Sequence, residues 1–253
     1  MNHKMRRILI ILLLTIVFGC GGKKEPLPDA QTIVNKSIEA SGGALYQSSE
    51  ISFTFREREY RAYREAGKRV LMRLTETDTA RIEDLLSGSS FERRIDGKLQ
   101  SLPDSTRMSL AEAVNSVHYF AYLPKGLNDA AVNKTYLGQE KIGDSEYHKI
   151  QVTFDQEGGG TDFEDVFVYW FNAQTYHPDY LAYQYNTNGG GKRFREAFNP
   201  RRVGGIRFVD YRNYKYSGPL PVSELDSLFL KDELEFLSLI ELEDIAVIPD
   251  NYN

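Results

Sequence analysis

One cysteine, one tryptophan and four histidines serve a chain of 253 residues, and each scarcity closes a route. A lone thiol, Cys20, cannot form an internal disulfide, so the fold must be held by packing. His118, His148 and His177 stand about thirty residues apart, whereas zinc sites favour paired ligands a few positions apart. Each reads as a surface or satisfied core histidine, and no metal or cofactor is expected. His177, in a turn among Tyr176, Tyr180 and Tyr183, is the one that merits a test. No Gly-x-Ser-x-Gly elbow and no His-Glu-x-x-His pair occurs. Gly189-Gly190-Gly191-Lys192 is not a phosphate loop, because Asn186 stands where a glycine is needed and Arg193 where Ser or Thr is needed. The acids Asp155, Glu157, Asp162, Glu164 and Asp165 surround Gly158-Gly159-Gly160 without calcium-loop spacing and read as a solvated hairpin tip.

Positive charge is also short. Three of the 31 Lys and Arg lie in residues 1–19, leaving 28 against 36 Asp and Glu. That balance argues against a nucleic-acid partner and against adhesion to anionic lipid by charge alone. Arg193, Arg195, Arg201, Arg202 and Arg207 make the later strands locally basic. They read either as a solvated strand face or as a receiver for a carboxylate or anionic head group.

The one long apolar run lies at the start. Lys4, Arg6 and Arg7 precede Ile8 to Phe18, and Gly19-Cys20-Gly21-Gly22 follows. The run is short for a permanent span and charged only on its N-terminal side, which is the layout of a cleavable export signal. Residues 23–28, with two prolines, read as the rest of a tether. The body begins at Asp29. Ile33, Val34, Ile38 and Ala40 recur at helical spacing and Ser41-Gly42-Gly43 supplies the stop, predicting a helix over 30–40. Ile51, Phe53 and Phe55 then alternate with polar residues, as do Val70, Met72 and Leu74. Further strands are predicted over 79–86 and 90–100, with Asp96-Gly97 as a tight turn. Helical spacing returns over 105–122 and stops at Pro124-Lys125-Gly126. Strands resume over 132–141, 146–154, 165–172, 180–187, 192–199 and 205–216, and Phe236 to Ile248 is expected to close the sheet. Residues 165–172 are apolar on both faces, as in a doubly covered strand. Half of the 16 tyrosines lie between Tyr169 and Tyr216, suggesting a broad, partly wet sheet face.

Two resemblances follow. The stretch Val17-Phe18-Gly19-Cys20 resembles the lipobox of bacterial lipoproteins, which implies that Cys20 is lipidated and becomes the N-terminus. Gly21 after it is not the aspartate of inner-membrane retention, so the resemblance implies the outer membrane. The order of elements and the segment Ile33 to Gly43 resemble envelope proteins of the LolA and LolB kind and a family of uncharacterised lipoproteins with the same plan, and Tyr147 to Phe154, Val166 to Asn172 and Tyr180 to Tyr185 also resemble that uncharacterised family. That likeness implies a strongly curved antiparallel sheet forming an incomplete barrel, mainly β, with an N-terminal helix and a mid-chain lid helix. The expected organisation is a signal peptide over 1–19, a lipidated tether over 20–28 and a single domain over 29–253. Phe53, Phe55, Met72, Val152, Phe154, Val168, Trp170, Phe194, Phe198 and Phe208 are the candidate inward residues, which either line a ligand cavity or fill a core. The expected function is non-covalent binding of a lipid, an acyl chain or another hydrophobic ligand by a membrane-anchored protein. A scaffold that docks an envelope protein or glycan through tyrosines such as Tyr183 and Tyr185, and a hydrolase with an unrecognised site, are the alternatives.

Overall fold

The computed structural model describes residues 29–158, 163–186 and 189–250. The export signal, Cys20 and the tether lie outside these residues, as do parts of the two glycine loops. The chain opens with α1 (Ala30–Ser41), where the Asp29 side chain caps the first turn by accepting the Thr32 N–H at 2.8 Å. Gly42 ends it at φ 148°, and a side chain there would stand 3.1 Å from Ile206, so both backbone and packing demand glycine.

Six strands follow as a meander: β1 (Ser49–Phe55), β2 (Arg58–Glu65), β3 (Lys68–Glu76), β4 (Arg81–Ser87), β5 (Ser90–Ile95) and β6 (Lys98–Leu99). Asp96-Gly97 makes the β5–β6 turn with both residues at positive φ, as predicted. Helix α2 (Asp104–Ala121) comes next, then β7 (Val132–Ile142), β8 (Ser145–Phe154), β9 (Val166–Asn172), β10 (Pro178–Tyr185), β11 (Gly191–Val203) and β12 (Ile206–Tyr216). A short helix, α3 (Leu225–Phe229), precedes β13 (Glu235–Ile240) and β14 (Glu243–Pro249).

All pairings are antiparallel and form two seven-stranded sheets, ordered β14-β1-β2-β3-β4-β5-β6 and β13-β12-β11-β10-β9-β8-β7. Neither sheet closes. The mainly β, unclosed architecture expected from the sequence is what forms, divided between two sheets. The run from Phe236 to Ile248 is two strands, and they join different sheets. The link between them is fixed because buried Asp210 accepts the Leu242 N–H at 3.0 Å, while Arg201 pairs with the same Asp210 at 2.9 Å. β2 was not predicted: its Arg-Glu-Tyr-Arg-Ala-Tyr-Arg-Glu sequence has no aliphatic residue larger than alanine.

Strand β9 shows how the second sheet is covered. Phe167, Tyr169 and Phe171 face one way and pack with Ile33 and Val34 of α1, Ile150 and Val152 of β8, and Tyr119 and Phe120 of α2. Val168 and Trp170 face the other way, against Phe194 and the segment carrying Val222, Leu225 and Leu228. Helix α2 meets the first sheet as well. His118 and Tyr122 pack edge-on to Phe53, which stacks on Tyr60 at 5.4 Å. The helix is thus held between the inner faces of the two sheets. Under it, Arg73, Asp84 and Arg93 stand opposite one another on β3, β4 and β5, with both arginines bonded to the buried carboxylate.

Candidate functional site

The inner face of the second sheet carries Tyr211 and Val209 on β12 and Arg195 on β11, and α2 crosses above them. The packing there is incomplete. A cavity of about 210 Å³ lies between Ser116, Val117, Phe120 and Ala121 of α2 and Arg195, Val209, Tyr211 and Asn213 of the sheet. Ile240, Leu242 and the β1–β2 tip at Phe55-Arg56 complete the lining. The tip can turn toward the helix because Arg56 and Glu57 both adopt positive φ, the geometry of a two-residue hairpin turn. Burial pushes the Tyr211 phenol up to about 12, against the pull of Arg207 and Arg195.

The cation in this wall is unusual. Arg195 is 8% exposed. Its guanidinium lies 4.1 Å from the Phe120 ring centre and 5.1 Å from that of Tyr183, and its Nη2 donates to the Tyr183 hydroxyl at 2.8 Å. Its Nε is buried with no partner among the described residues. The other arginines singled out in the sequence are engaged in the fold: Arg201 with Asp210, Arg207 with Asp179 at 3.2 Å, Arg202 with the Gly205 and Ala40 carbonyls, and Arg193 with the Tyr185 hydroxyl.

A second cavity, of about 320 Å³, lies on the opposite side of α2 and has a different character. Arg69, Lys125, Asp129 and Asn115 share its lining with Tyr119 and Tyr122. Burial holds Arg69 and Lys125 below their usual values. The alternating positions of α2 therefore separate a mainly apolar space from a polar one.

The ten residues expected to point inward do not share one face. Phe55 lines the first cavity. Val152 and Phe154 belong to the adjoining inner core. Phe53 and Phe208 are buried at the seam between the sheets with Tyr46, Tyr60 and Tyr122. Val168, Trp170 and Phe194 point the opposite way, and this corrects the expectation: α3 and the turn before it cover that face as a second core. Met72 stands opposite Arg61 on the face away from α2, since its neighbour Arg73 takes the inner one. Phe198 is half-buried beneath the Arg212 guanidinium at 4.6 Å.

The outer core is pinned by charge. Asp226 of α3 accepts from Trp170 Nε1 at 3.1 Å and from Lys149 at 3.2 Å. Burial, then its hydrogen bond with Glu140, raises the Asp226 carboxyl to about 6. The histidines occupy three separate settings. His118 is buried between the Tyr122 hydroxyl and the Met72 carbonyl, each at 3.1 Å. His148 stacks on Tyr176. His177 has its Nδ1 buried, and burial lowers it to about 4.

Comparison with known proteins fixes the family. The family described as "Family of unknown function (DUF6503)" matches residues 6–244. The chain belongs to this family. A search of curated proteins finds no match. Among solved structures, a DUF1329 family protein from Desulfovibrio piger aligns with this DUF6503 chain at 8% identity and a TM-score of 0.50, covering 89% of this chain and 95% of that one. A LolA superfamily protein from Nitrosomonas europaea aligns at 14% identity and a TM-score of 0.46, covering 87% and 93%. At such identities the likeness is one of fold alone.

Proposed function

We propose that this protein is an exported envelope lipoprotein, anchored to the outer membrane through lipidated Cys20, that holds an apolar or amphipathic ligand non-covalently beneath α2. The observation that carries the reading is the cavity of about 210 Å³ between α2 and the inner face of the second sheet. Its lining is mostly aliphatic and aromatic, with a few polar groups at defined positions, which is the composition of small-molecule binding sites. An apolar cavity of about 150 Å³ already accepts a benzene ring, so this one has room for a single alkyl segment. A larger lipid needs α2 to shift.

The chemistry of the wall favours binding over catalysis. The lining residues include no carboxylate, histidine or cysteine, and Ser116 has no base beside it in the lining. The N-terminal lipobox-like stretch supports the anchor, and a cysteine bearing several acyl chains attaches far more firmly than one bearing a single chain. The test is to purify the full chain from its membrane, extract it and identify bound molecules by mass spectrometry. An alkyl-bearing ligand at near one per chain is expected. Absence of any such ligand, together with failure to bind a fluorescent fatty acid, would sink the proposal.

A further inference from the structure

We infer that the ligand held under α2 carries a negative charge on an alkyl body, and that Arg195 receives that charge. The inference rests on the binding reading above and goes further by naming the head-group chemistry. A guanidinium withdrawn from water needs either a counter-ion or a full set of acceptors. Arg195, 8% exposed, has one hydrogen-bond acceptor, the Tyr183 hydroxyl at 2.8 Å, and its Nε is orphaned among the described residues. No carboxylate among the described residues forms an ion pair with it. Elsewhere in the fold, the buried arginines Arg73 and Arg207 each have a carboxylate, at 2.6 Å from Asp84 and 3.2 Å from Asp179. Arg195, the buried arginine that lines the apolar cavity, has none among the described residues.

The surroundings suit a cation awaiting a partner. The faces of Phe120 and Tyr183 stabilise the charge without neutralising it. Asn213 stands directly opposite Arg195 in the β11–β12 ladder and lines the same cavity, and its Oδ1 is also buried without a partner. Its amide can turn to present NH₂ toward a bound oxyanion, leaving its oxygen to Ser238. Arg56 at the hairpin tip is exposed beside the same space and favours the approach of an anion locally. The chain as a whole is acidic, at a formal net charge of −5, so bulk attraction does not account for anion binding. The guanidinium fork fits a carboxylate or a phosphate equally well, since each offers two oxygens in one plane.

The test uses the full chain in phosphatidylcholine nanodiscs, with empty nanodiscs as the blank, and three probes of equal tail: dodecanoate, dodecyl phosphate and dodecanol. At neutral pH the better anionic probe is expected to bind about 10- to 100-fold more tightly than dodecanol, the range for hydrogen bonds to a charged group. The order of the two anions then identifies the head group as carboxylate or phosphate. In Arg195→Met the anion-to-alcohol ratio is expected to fall to near one, and Arg195→Lys, which keeps the charge but not the fork, should retain part of it. Equal binding of anion and alcohol by the unaltered chain overturns the inference and leaves apolar binding standing. Binding of none of the probes overturns both. A preference that survives in Arg195→Met places the charge recognition elsewhere and also overturns it. Should Arg195→Met fail to fold, the ratio in the unaltered chain and in Arg195→Lys decides.

Discussion

Replacing Ala121 with leucine tests whether the space under α2 is empty, because the sign of the effect differs between the two possibilities. Ala121 is the last residue of α2 and lines the cavity of about 210 Å³. Leucine adds three carbons, and each buried methylene contributes about 0.8 kcal/mol, for an upper value of about 2.4 kcal/mol. Ala121 is only partly buried, so a gain of about 1–2 kcal/mol is expected in ligand-free protein. Leucine is nearly as good a helix former as alanine, so the helix itself contributes little to the difference. In a domain of this size 1 kcal/mol moves the melting temperature by about 2–4 °C, and the shift is expected to be upward. The same side chain takes space from the ligand, so stabilisation by added fatty acid should shrink. Circular dichroism melts of delipidated protein read both effects. Were the region already filled, the extra carbons would overpack it and cost about 1–3 kcal/mol. A lowered melting temperature therefore refutes the reasoning.

Two further outcomes follow from buried groups. Asp84 is 1% exposed and bonded to Arg73 and Arg93; Asp84→Ala leaves both cations without it and should cost about 3–5 kcal/mol in urea unfolding, whereas a loss under 1 kcal/mol would show that the triad beneath α2 is dispensable. Burial lowers His118 to about 3, so the unfolded chain takes up a proton that the folded one refuses; stability should fall as pH drops from about 6.5 toward 3, by at most about 1.4 kcal/mol per pH unit for this group, and the fall should be shallower in His118→Gln.

Much of the fold was legible because local rules and tertiary structure agree. The helix over 30–40 has its cap at Asp29, its apolar stripe and its glycine stop in the right order, and the doubly apolar strand over 165–172 is indeed covered on both faces. The site was less legible. Period-two alternation says that a strand has two faces, but where both are buried it does not say which one looks toward a given helix. Val168, Trp170 and Phe194, expected to point inward, lie on the face opposite Phe167, Tyr169 and Phe171. The cover on their true face, Val222 to Leu228, is too short to show a helical period. Arg195 was legible as a residue but not as a buried one, since a charge in a strand ordinarily marks the solvated side. The one local hint was its density of aromatic neighbours. Strand β2 was hidden for the converse reason: its buried Tyr60 sits between the charges of Glu59 and Arg61, and buried Ala62 offers little contrast.

The most direct measurement is photolabelling of the full chain with a diazirine-bearing fatty acid, followed by peptide mapping. The account predicts that labels concentrate on the α2 residues Ser116 to Ala121 and on Val209 to Asn213 of β12, and that unlabelled fatty acid competes them away. Labels confined to the exposed apolar edge at Phe236, Leu237 and Leu239, or no competed label at all, would contradict it.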